Sequence, residues 1–292
     1  MATLHDWLEG ARVRTLPAAL APVIIGAGLA FYDGGFSWVR TLLAGFVALA
    51  FQVGVNFSND YSDGIRGTDD HRQGPPRLTG GGKVSPRIVL MIAIGFFVGA
   101  CVGGLALVAL SGQWWLIALG LAAVAAAWFY TGGKHPYGYL GLGEIFVLVF
   151  FGWMATVGTA YVQTGLAPWY AWAAGTGVGL IACALLMVNN IRDIPTDSET
   201  GKRTLAVRLG DKRARDLFAL TLVLAVLIQA SVLSVVGGWF GVVSLVLIIP
   251  ITPTILEVRG HARGRYLIPA LKRIGIFELA YAVVFVLGFA LS

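Results

Sequence analysis

The sequence predicts an all-α, polytopic membrane protein in which nine transmembrane helices form one bundle, a single domain over residues 1–292. Of the 292 residues, 57% are hydrophobic and only 12% are charged, and the mean hydropathy is +0.78. Soluble domains carry about 25% charged residues, so this composition excludes a soluble globular enzyme and equally a disordered chain. Apolar runs of membrane-spanning length recur along the chain, and the basic residues lie almost all in alternate connections between them.

Nine runs approach the roughly 20 residues that a membrane helix needs. Arg12 and Arg14 precede the first run, as in a secretory signal, but the run contains Pro22 and further spans follow it, so we expect it to be retained. Cys101 and Cys183 lie inside apolar runs, which predicts neither a disulfide nor a cysteine-based metal site. In chain order the runs are 16–32, 39–58, 88–111, 113–130, 140–163, 168–188, 217–236, 238–256 and 274–291.

The basic residues indicate which side of the membrane each connection faces. All 21 Lys and Arg residues except Arg40 lie in the N-terminal segment or after the second, fourth, sixth and eighth runs. The positive-inside rule places those segments in the cytoplasm, so the net charge of +6 is a topology signal and no nucleic acid is expected as a partner. We expect a protein of the inner (cytoplasmic) cell membrane with its N-terminus inside, Ser292 outside and its active site on the cytoplasmic side.

Two polar segments at the ends of the second and sixth runs resemble each other. Asn59 and Asp63 are four residues apart in the first, and Asn189, Asp193 and Asp197 repeat that spacing in the second. Residues four apart are displaced by about 40° around a helix, so each set shares one face. Facing each other, the two sets would form an oxygen-rich site of the kind that Mg²⁺ prefers. Acidic residues at membrane level are costly, which indicates function.

Cations accompany both acidic segments. Arg66 and Arg77 follow the first, while Arg192, Lys202 and Arg203 surround the second. Acids that hold Mg²⁺ beside cations that bind anionic oxygens predict a diphosphate site. Cations and Mg²⁺ at this place would neutralise the negative charge of a diphosphate group.

These residues resemble the signatures of the UbiA superfamily of intramembrane aromatic prenyltransferases, which are an NDxxDxxxD-type motif after the second helix and a DxxxD motif after the sixth of a nine-helix bundle. Tyr130 and Lys134 match a third signature, YxxxK, after the fourth span. The resemblance covers the whole chain. It implies Mg²⁺-dependent transfer of a polyprenyl group from polyprenyl diphosphate to an aromatic acceptor in the lipid bilayer. The two acidic motifs are here Asn59-Asp60-x2-Asp63 and Asp193-x3-Asp197.

The site predicted on this basis has three groups of residues. The expected metal ligands are Asn59, Asp63, Asp69, Asn189, Asp193 and Asp197. The expected catalytic residues are Asp60, Asp63, Asp193, Asp197, Tyr130 and Lys134. The expected substrate-binding residues are Arg66, Arg77, Arg192, Lys202, Arg203, Asn59 and Asn189, with Arg14 or Lys134 as anchor for an acceptor carboxylate.

One position departs from the superfamily pattern. Gly67 stands where the general motif has its last aspartate, and Asp69 and Asp70 follow just beyond. Either one of these two acids replaces the missing ligand, or the first metal has one protein carboxylate fewer.

Three segments favour one branch of the superfamily: ARVRTLPAALAPVIIGAG, NDYSDGIRGTDD with GPPRLTGGG, and PYGYLGLGE. They most resemble the branch that prenylates 1,4-dihydroxy-2-naphthoate in bacterial menaquinone synthesis, with loss of CO2 and diphosphate to give demethylmenaquinone. A different aromatic acceptor, such as 4-hydroxybenzoate, is the first alternative. A cation-coupled secondary transporter is the alternative of another class, but transporter acids lie near the bilayer midplane, whereas these acids lie at the ends of spans.

Overall fold

Twelve helices account for most of the chain in the computed structural model, which describes residues 2–68, 77–260 and 262–291, and no strand occurs within those ranges. In the first half the helices are α1 (Leu4–Ala11), α2 (Pro17–Tyr32), α3 (Trp38–Ile65), α4 (Pro86–Ser111), α5 (Leu116–Phe129) and α6 (Gly143–Thr164). In the second half they are α7 (Trp169–Arg192), α8 (Ile194–Glu199), α9 (Leu205–Leu209), α10 (Asp211–Gly237), α11 (Phe240–Arg259) and α12 (Ile268–Ala290).

Each of the nine predicted runs coincides with a helix, from α2 to α7 and from α10 to α12. Within the described ranges, seven helices are long and apolar enough to cross a membrane, and the bent pair Leu4–Thr15 and Pro17–Tyr32 brings the number to eight. The remaining run forms α5, whose 14 residues are fewer than the roughly 20 that a bilayer core requires. The all-α membrane architecture is confirmed, while the number nine and the sides of the termini stay predictions.

The helix ends follow from local sequence. Thr3 and Asp6 form a reciprocal capping box at the start of α1, and the Ser37 side chain accepts a hydrogen bond from the first turn of α3. Gly112 and Gly165 end α4 and α6 with φ values of 71° and 72°. Glycine adopts this left-handed conformation without the steric cost that a Cβ atom imposes, so these residues fix where two spans stop.

Helix α7 lies at the centre of the bundle. It packs against α6, α10 and α12, and α2 packs between α6 and α12. The centre of α6 is a π-helical segment, Leu148–Met154, that lies against α7. A Cβ atom on Gly152 would stand 2.5 Å from the carbonyl oxygen of Gly175, so the two backbones approach as closely as only glycine allows. The acidic motifs lie at the ends of α3 and α7, and the segment just after α5 contacts the first of them through Thr131 and Asn59.

Candidate active site

The first acidic motif occupies the last turns of α3, and its polar side chains are buried. Asn59, Asp60 and Asp63 expose 4%, 0% and 5% of their surface. Asn59 Oδ1 accepts a hydrogen bond of 2.8 Å from the hydroxyl of Thr131, just beyond the end of α5. The motif therefore faces the protein interior.

The turn that ends α3 explains the departure at Gly67. The N–H of Thr68 donates to the carbonyl oxygen of Asp63 (3.1 Å), which is the long hydrogen bond of a Schellman turn. Gly67 has φ 73°, the left-handed conformation that this turn requires. A glycine here has a local structural reason, and the two candidate replacement ligands, Asp69 and Asp70, lie outside the described residues.

Asp60 holds the loop that follows the first motif. Its two carboxylate oxygens accept hydrogen bonds from the backbone N–H groups of Leu78 (2.9 Å) and Thr79 (2.8 Å). Arg77, beside them, is buried. Lys83 farther along the loop pairs with Asp6 of α1. The resemblance predicts a catalytic role for Asp60, whereas this geometry favours the fixing of the loop.

The second acidic motif spans a break between two helices. The spacing predicts Asn189, Asp193 and Asp197 on one helical face, but α7 ends at Arg192 and α8 begins at Ile194. Pro195 causes the break because it has no N–H to continue the hydrogen-bond ladder of α7. The N–H of Asp197 still donates to the Asp193 carbonyl oxygen at 2.8 Å, so the two acidic residues remain one helical turn apart in space.

Cations neutralise both acids of the second motif. Arg192 is 3% exposed and donates from Nε and Nη2 to the two oxygens of Asp193, at 2.7 and 2.6 Å. Lys202 Nζ lies 3.7 Å from Asp197 Oδ1. Asn189, in contrast, is only half-buried, and its Nδ2 donates to a carbonyl oxygen within α7. The acids and cations that the sequence predicts are therefore adjacent in the second motif.

Tyr139 joins the two motifs, and the sequence did not single it out. Its hydroxyl donates to Asp63 Oδ1 at 2.8 Å, and its carbonyl oxygen accepts the N–H of Arg203 at 3.0 Å. Its ring centroid is 5.5 Å from the Arg66 guanidinium and 5.2 Å from Lys202 Nζ, both within cation–π range. Burial raises the pKa of the Tyr139 phenol, and the charge of Asp63 raises it further, so the hydroxyl keeps its proton.

The segment after α5 contributes backbone as well as side chains. The Arg66 guanidinium donates to the carbonyl oxygens of Thr131 and Gly133. Tyr130 is half-buried, with its ring 5.4 Å from that of Tyr137, whereas Lys134 is exposed. Tyr130 thus lies at the α5 end of the segment that Arg66 contacts, while the Lys134 side chain is exposed.

Two arginines near the N-terminus have different surroundings. Arg14 is exposed and pairs with Glu9 at 2.7 Å, which does not bring it to the acids. Arg12 has φ 52°, the only positive φ at a non-glycine residue in the described ranges, and the carbonyl oxygen of the preceding Ala11 accepts a hydrogen bond of 2.9 Å from Asn56, three residues before Asn59 on α3. A strained backbone of this kind is frequent at functional sites. Arg12 is therefore nearer to the site than the arginine that the sequence suggested.

The sequence as a whole places this architecture among known proteins. A model of the UbiA prenyltransferase family matches residues 19–264. The chain belongs to the UbiA prenyltransferase family. Two similar UbiA relatives are 1,4-dihydroxy-2-naphthoate octaprenyltransferases. The one from Mycobacterium tuberculosis is 46% identical and covers 97% of this chain and 96% of its own, and the one from Escherichia coli is 37% identical, with 98% and 95% covered.

Solved UbiA structures share the fold. The apo structure of a UbiA homolog from Aeropyrum pernix K1 has a TM-score of 0.71 at 18% identity and covers 96% of this chain and 98% of its own. A UbiA homolog from Archaeoglobus fulgidus bound to GPP and Mg²⁺ has a TM-score of 0.66 at 16% identity, with 98% and 99% covered. The helical architecture is therefore that of the family.

The donor set of this UbiA chain fits a metal that substrate helps to bind. Within residues 2–68, 77–260 and 262–291, no three His, Cys, Asp or Glu side chains are grouped closely enough to hold a metal ion by themselves. Mg²⁺ usually takes one or two carboxylates, with waters and substrate phosphates completing its shell. Asp63 at the end of α3 and Asp193 and Asp197 at the break after α7 are carboxylates of the type that Mg²⁺ takes, so their chemistry is compatible with such a metal.

Proposed function

We propose that this UbiA family member transfers a polyprenyl group from polyprenyl diphosphate to 1,4-dihydroxy-2-naphthoate. The bond between the prenyl C1 atom and the diphosphate oxygen breaks, and C1 bonds to the ring carbon that carries the carboxylate. That carboxylate leaves as CO2, and the electron pair of its bond to the ring restores the aromatic system, so both hydroxyl groups keep their protons and the diphosphate leaves as an anion. The products are diphosphate and demethylmenaquinone in its reduced, hydroquinone form. The observation that carries the proposal is the 46% identity, over 97% of the chain, to a relative of that named activity.

The acids and cations supply what the leaving group needs. Mg²⁺, when bound, lowers the charge on the departing diphosphate. Asp63, Asp193 and Asp197 are its proposed ligands from the chain, with Asn59, Asn189 and Asp69 as further candidates. Lys202 and Arg66 lie beside the same tyrosine and bind phosphate oxygens from opposite motifs, and Arg77, Arg192 and Arg203 complete the positive surroundings. Diphosphate charge is thus stabilised where it develops.

The position of these groups favours transfer over transport. The acids lie at the ends of α3 and α7, not midway along them, and Asp193 and Asp197 are each paired with a cation. Cation-coupled carriers bind their ions near the bilayer midplane. We also propose that residues 1–292 form one domain and that the site faces the cytoplasm, because nearly all basic residues lie in the connections of that end.

An acceptor assay tests the proposal. Membranes from cells that lack their own prenyltransferases receive the chain, octaprenyl diphosphate, and either 1,4-dihydroxy-2-naphthoate or 4-hydroxybenzoate labelled in the carboxyl carbon. We expect prenylated naphthoquinol and labelled CO2 from the first acceptor only, and loss of both in excess EDTA with recovery on addition of Mg²⁺. A product that retains the label from 4-hydroxybenzoate, with none from the naphthoate, would contradict the acceptor. Full turnover in EDTA would contradict the metal.

A further inference from the structure

The turn that carries Tyr139 is fixed independently of the acidic motifs. Tyr137–Leu140 forms a 3₁₀ turn directly after Pro136. The N–H of Gly138 donates to the carbonyl oxygen of Tyr130 at 3.0 Å, and the Tyr137 hydroxyl donates to that of Ala126 at 2.9 Å. Both contacts tie the turn to the end of α5. Tyr139 is consequently presented to the site by a rigid support.

The Tyr139 hydroxyl belongs to a directed chain of hydrogen bonds. A phenol has one proton, which is donated to Asp63 Oδ1 at 2.8 Å. The hydroxyl of Thr68, 3.1 Å from the phenol oxygen, is then the donor to Tyr139. The order Thr68 to Tyr139 to Asp63 orients one carboxylate oxygen and leaves the other oxygen of Asp63 for a further ligand. Hydrogen bonds to an ionised carboxylate are about twice as strong as those between neutral groups.

The Tyr139 ring lies beside cations from both halves of the site. Arg66 comes from the end of α3, Lys202 from the loop after α8, and both are within 6 Å of the ring centroid. Arg66 also donates to two carbonyl oxygens and Lys202 lies 3.7 Å from Asp197, and the negative face of the ring adds one contact that both cations share. The ring thus holds both cations near one place before substrate arrives.

We propose that Tyr139 is a positioning residue that couples the two acidic motifs: its hydroxyl orients Asp63 toward the metal, and its ring places Arg66 and Lys202 for one diphosphate. This inference rests on the proposed function and adds a residue outside its acidic and YxxxK motifs. The contributions of the Tyr139 hydroxyl and of the Tyr139 ring can therefore be measured separately. Loss of the hydroxyl weakens metal binding, and loss of the ring weakens diphosphate binding in addition.

The test compares Tyr139→Phe, which keeps the ring, with Tyr139→Leu, which loses it. Tyr137→Phe is the matched control, since it removes a hydroxyl that contacts only backbone and leaves the second tie of the turn, from the Gly138 N–H to the Tyr130 carbonyl oxygen, in place. Each purified full-length protein is titrated with Mn²⁺ by electron paramagnetic resonance in the presence of a non-reactive polyprenyl thiodiphosphate. Steady-state assays then give the Mg²⁺ concentration for half-maximal rate and the KM for the prenyl donor.

Tyr139→Phe should weaken Mn²⁺ binding and raise the half-saturating Mg²⁺ concentration about tenfold, with the donor KM within about twofold of wild type. Tyr139→Leu should show the same metal defect and also raise the donor KM by roughly tenfold. Tyr137→Phe should leave the half-saturating Mg²⁺ concentration and the donor KM within about twofold of wild type, even if the substitution lowers thermal stability. If Tyr139→Leu does not fold, Tyr139→Met takes its place as the variant without a ring.

Normal Mn²⁺ binding by Tyr139→Phe would overturn the role of the hydroxyl, and equal donor KM values for Tyr139→Phe and the ringless variant would overturn that of the ring. Equal defects in Tyr137→Phe would mean that the turn as a whole matters and not Tyr139. These outcomes leave the proposed function intact. Failure of the wild-type protein itself to bind Mn²⁺ with the thiodiphosphate would instead overturn the proposed function together with this inference.

Discussion

At the scale of single residues, acids that belong to one sequence motif differ in their hydrogen-bond partners and therefore in their expected roles. Asp60 and Asp63 are adjacent in the same motif, yet Asp60 uses both oxygens on backbone amides while Asp63 meets a phenol. Spacing along a helix predicts which residues share a face, but not which backbone folds back on them. That return loop lies 18 residues along the chain, beyond the reach of periodicity.

Substitution of the acids should distinguish metal ligands from loop-holding groups. Asp63→Ala, Asp193→Ala and Asp197→Ala should each lower kcat by several orders of magnitude, because a metal ligand acts where charge develops in the transition state. Lys202→Ala and Arg203→Ala should lose less and raise the donor KM, since other cations share the diphosphate. Near-normal turnover of Asp193→Ala would show that this acid is structural.

Asp60→Ala should act mainly on stability. It leaves the N–H groups of Leu78 and Thr79 without their acceptor, and the loss of two charge-assisted hydrogen bonds in a buried place costs about 2–4 kcal/mol. We expect a lower thermal midpoint in detergent and faster proteolysis within residues 77–83. A variant with wild-type stability and no activity would instead support the catalytic role that the family pattern implies.

The N-terminal arginine has an expected outcome of its own. Arg14 pairs with Glu9 on the surface, and exposed ion pairs contribute about 0–1 kcal/mol. Arg14→Ala should therefore leave the KM for the aromatic acid within about twofold of wild type. A KM raised tenfold for the acceptor alone, with an unchanged donor KM, would show that Arg14 leaves Glu9 to bind the acceptor carboxylate. Lys134→Ala, which removes the other candidate anchor, is compared in the same assay.

At the scale of helices, the hydrophobic runs predicted the existence and the order of the long helices well, but the boundaries of those helices less well. The run at 113–130 contains Trp114 and Trp115 before the helix begins, so α5 is shorter than the apolar stretch. The break at Asp193 follows from Pro195, which the spacing argument did not weigh. Tyr139 escaped notice because a tyrosine in a Pro- and Gly-rich connection is typical of turns as well as sites, and only the fold brings it to Asp63.

A glycine pair in the bundle gives an element-scale prediction. Gly152→Ala places a Cβ atom against the backbone oxygen of Gly175 at 2.5 Å, which forces α6 away from α7. Strain of this kind costs about 1–3 kcal/mol and should lower the thermal midpoint measurably. Gly158→Ala in the same helix is the control, because a Cβ atom there meets nothing within 4 Å and alanine has the better helix propensity. Equal midpoints for the two variants would mean that α6 and α7 are not held by this contact.

At the scale of the whole molecule, the sequence assigns all basic residues but one to the end of the bundle that carries the site, and the exception, Arg40, has a structural role. Arg40 donates to the carbonyl oxygens of Gln163 (3.2 Å) and Leu110 (2.6 Å), at the ends of α6 and α4. Cations stabilise the free carbonyls of a helix C-terminus. The one basic residue predicted on the opposite side therefore ties three helices together and does not weaken the topology signal.

The contacts of α5 favour its crossing the membrane despite its length. Leu110, shortly before α5, accepts a hydrogen bond from Arg40, and Thr131, just after it, donates to Asn59. Arg40 and Asn59 are 19 residues apart on α3, about 28 Å at 1.5 Å per residue, which is close to the thickness of a bilayer core. The segment from Leu110 to Thr131 thus runs from one end of α3 to the other, which supports nine spans over eight.

Reporter fusions on either side of α5 test the number of spans. With α5 as a span, a reporter inserted at Gly112 should lie outside the cytoplasm and one at Lys134 inside, because a single crossing separates them. A reporter near Gly201 should lie inside the cytoplasm and one after Ser292 outside it, since the three spans α10, α11 and α12 separate these positions. Gly112 and Lys134 on the same side would remove α5 from the spans. Two spans, α6 and α7, separate Lys134 from Gly201, and two spans, α4 and α5, separate Lys134 from the first acidic motif. The side found for Lys134 is therefore also the side of both acidic motifs. Reporters at Lys134 and Gly201 that both lie outside the cytoplasm would place the active site on the side opposite to the cytoplasmic side that the basic residues predict.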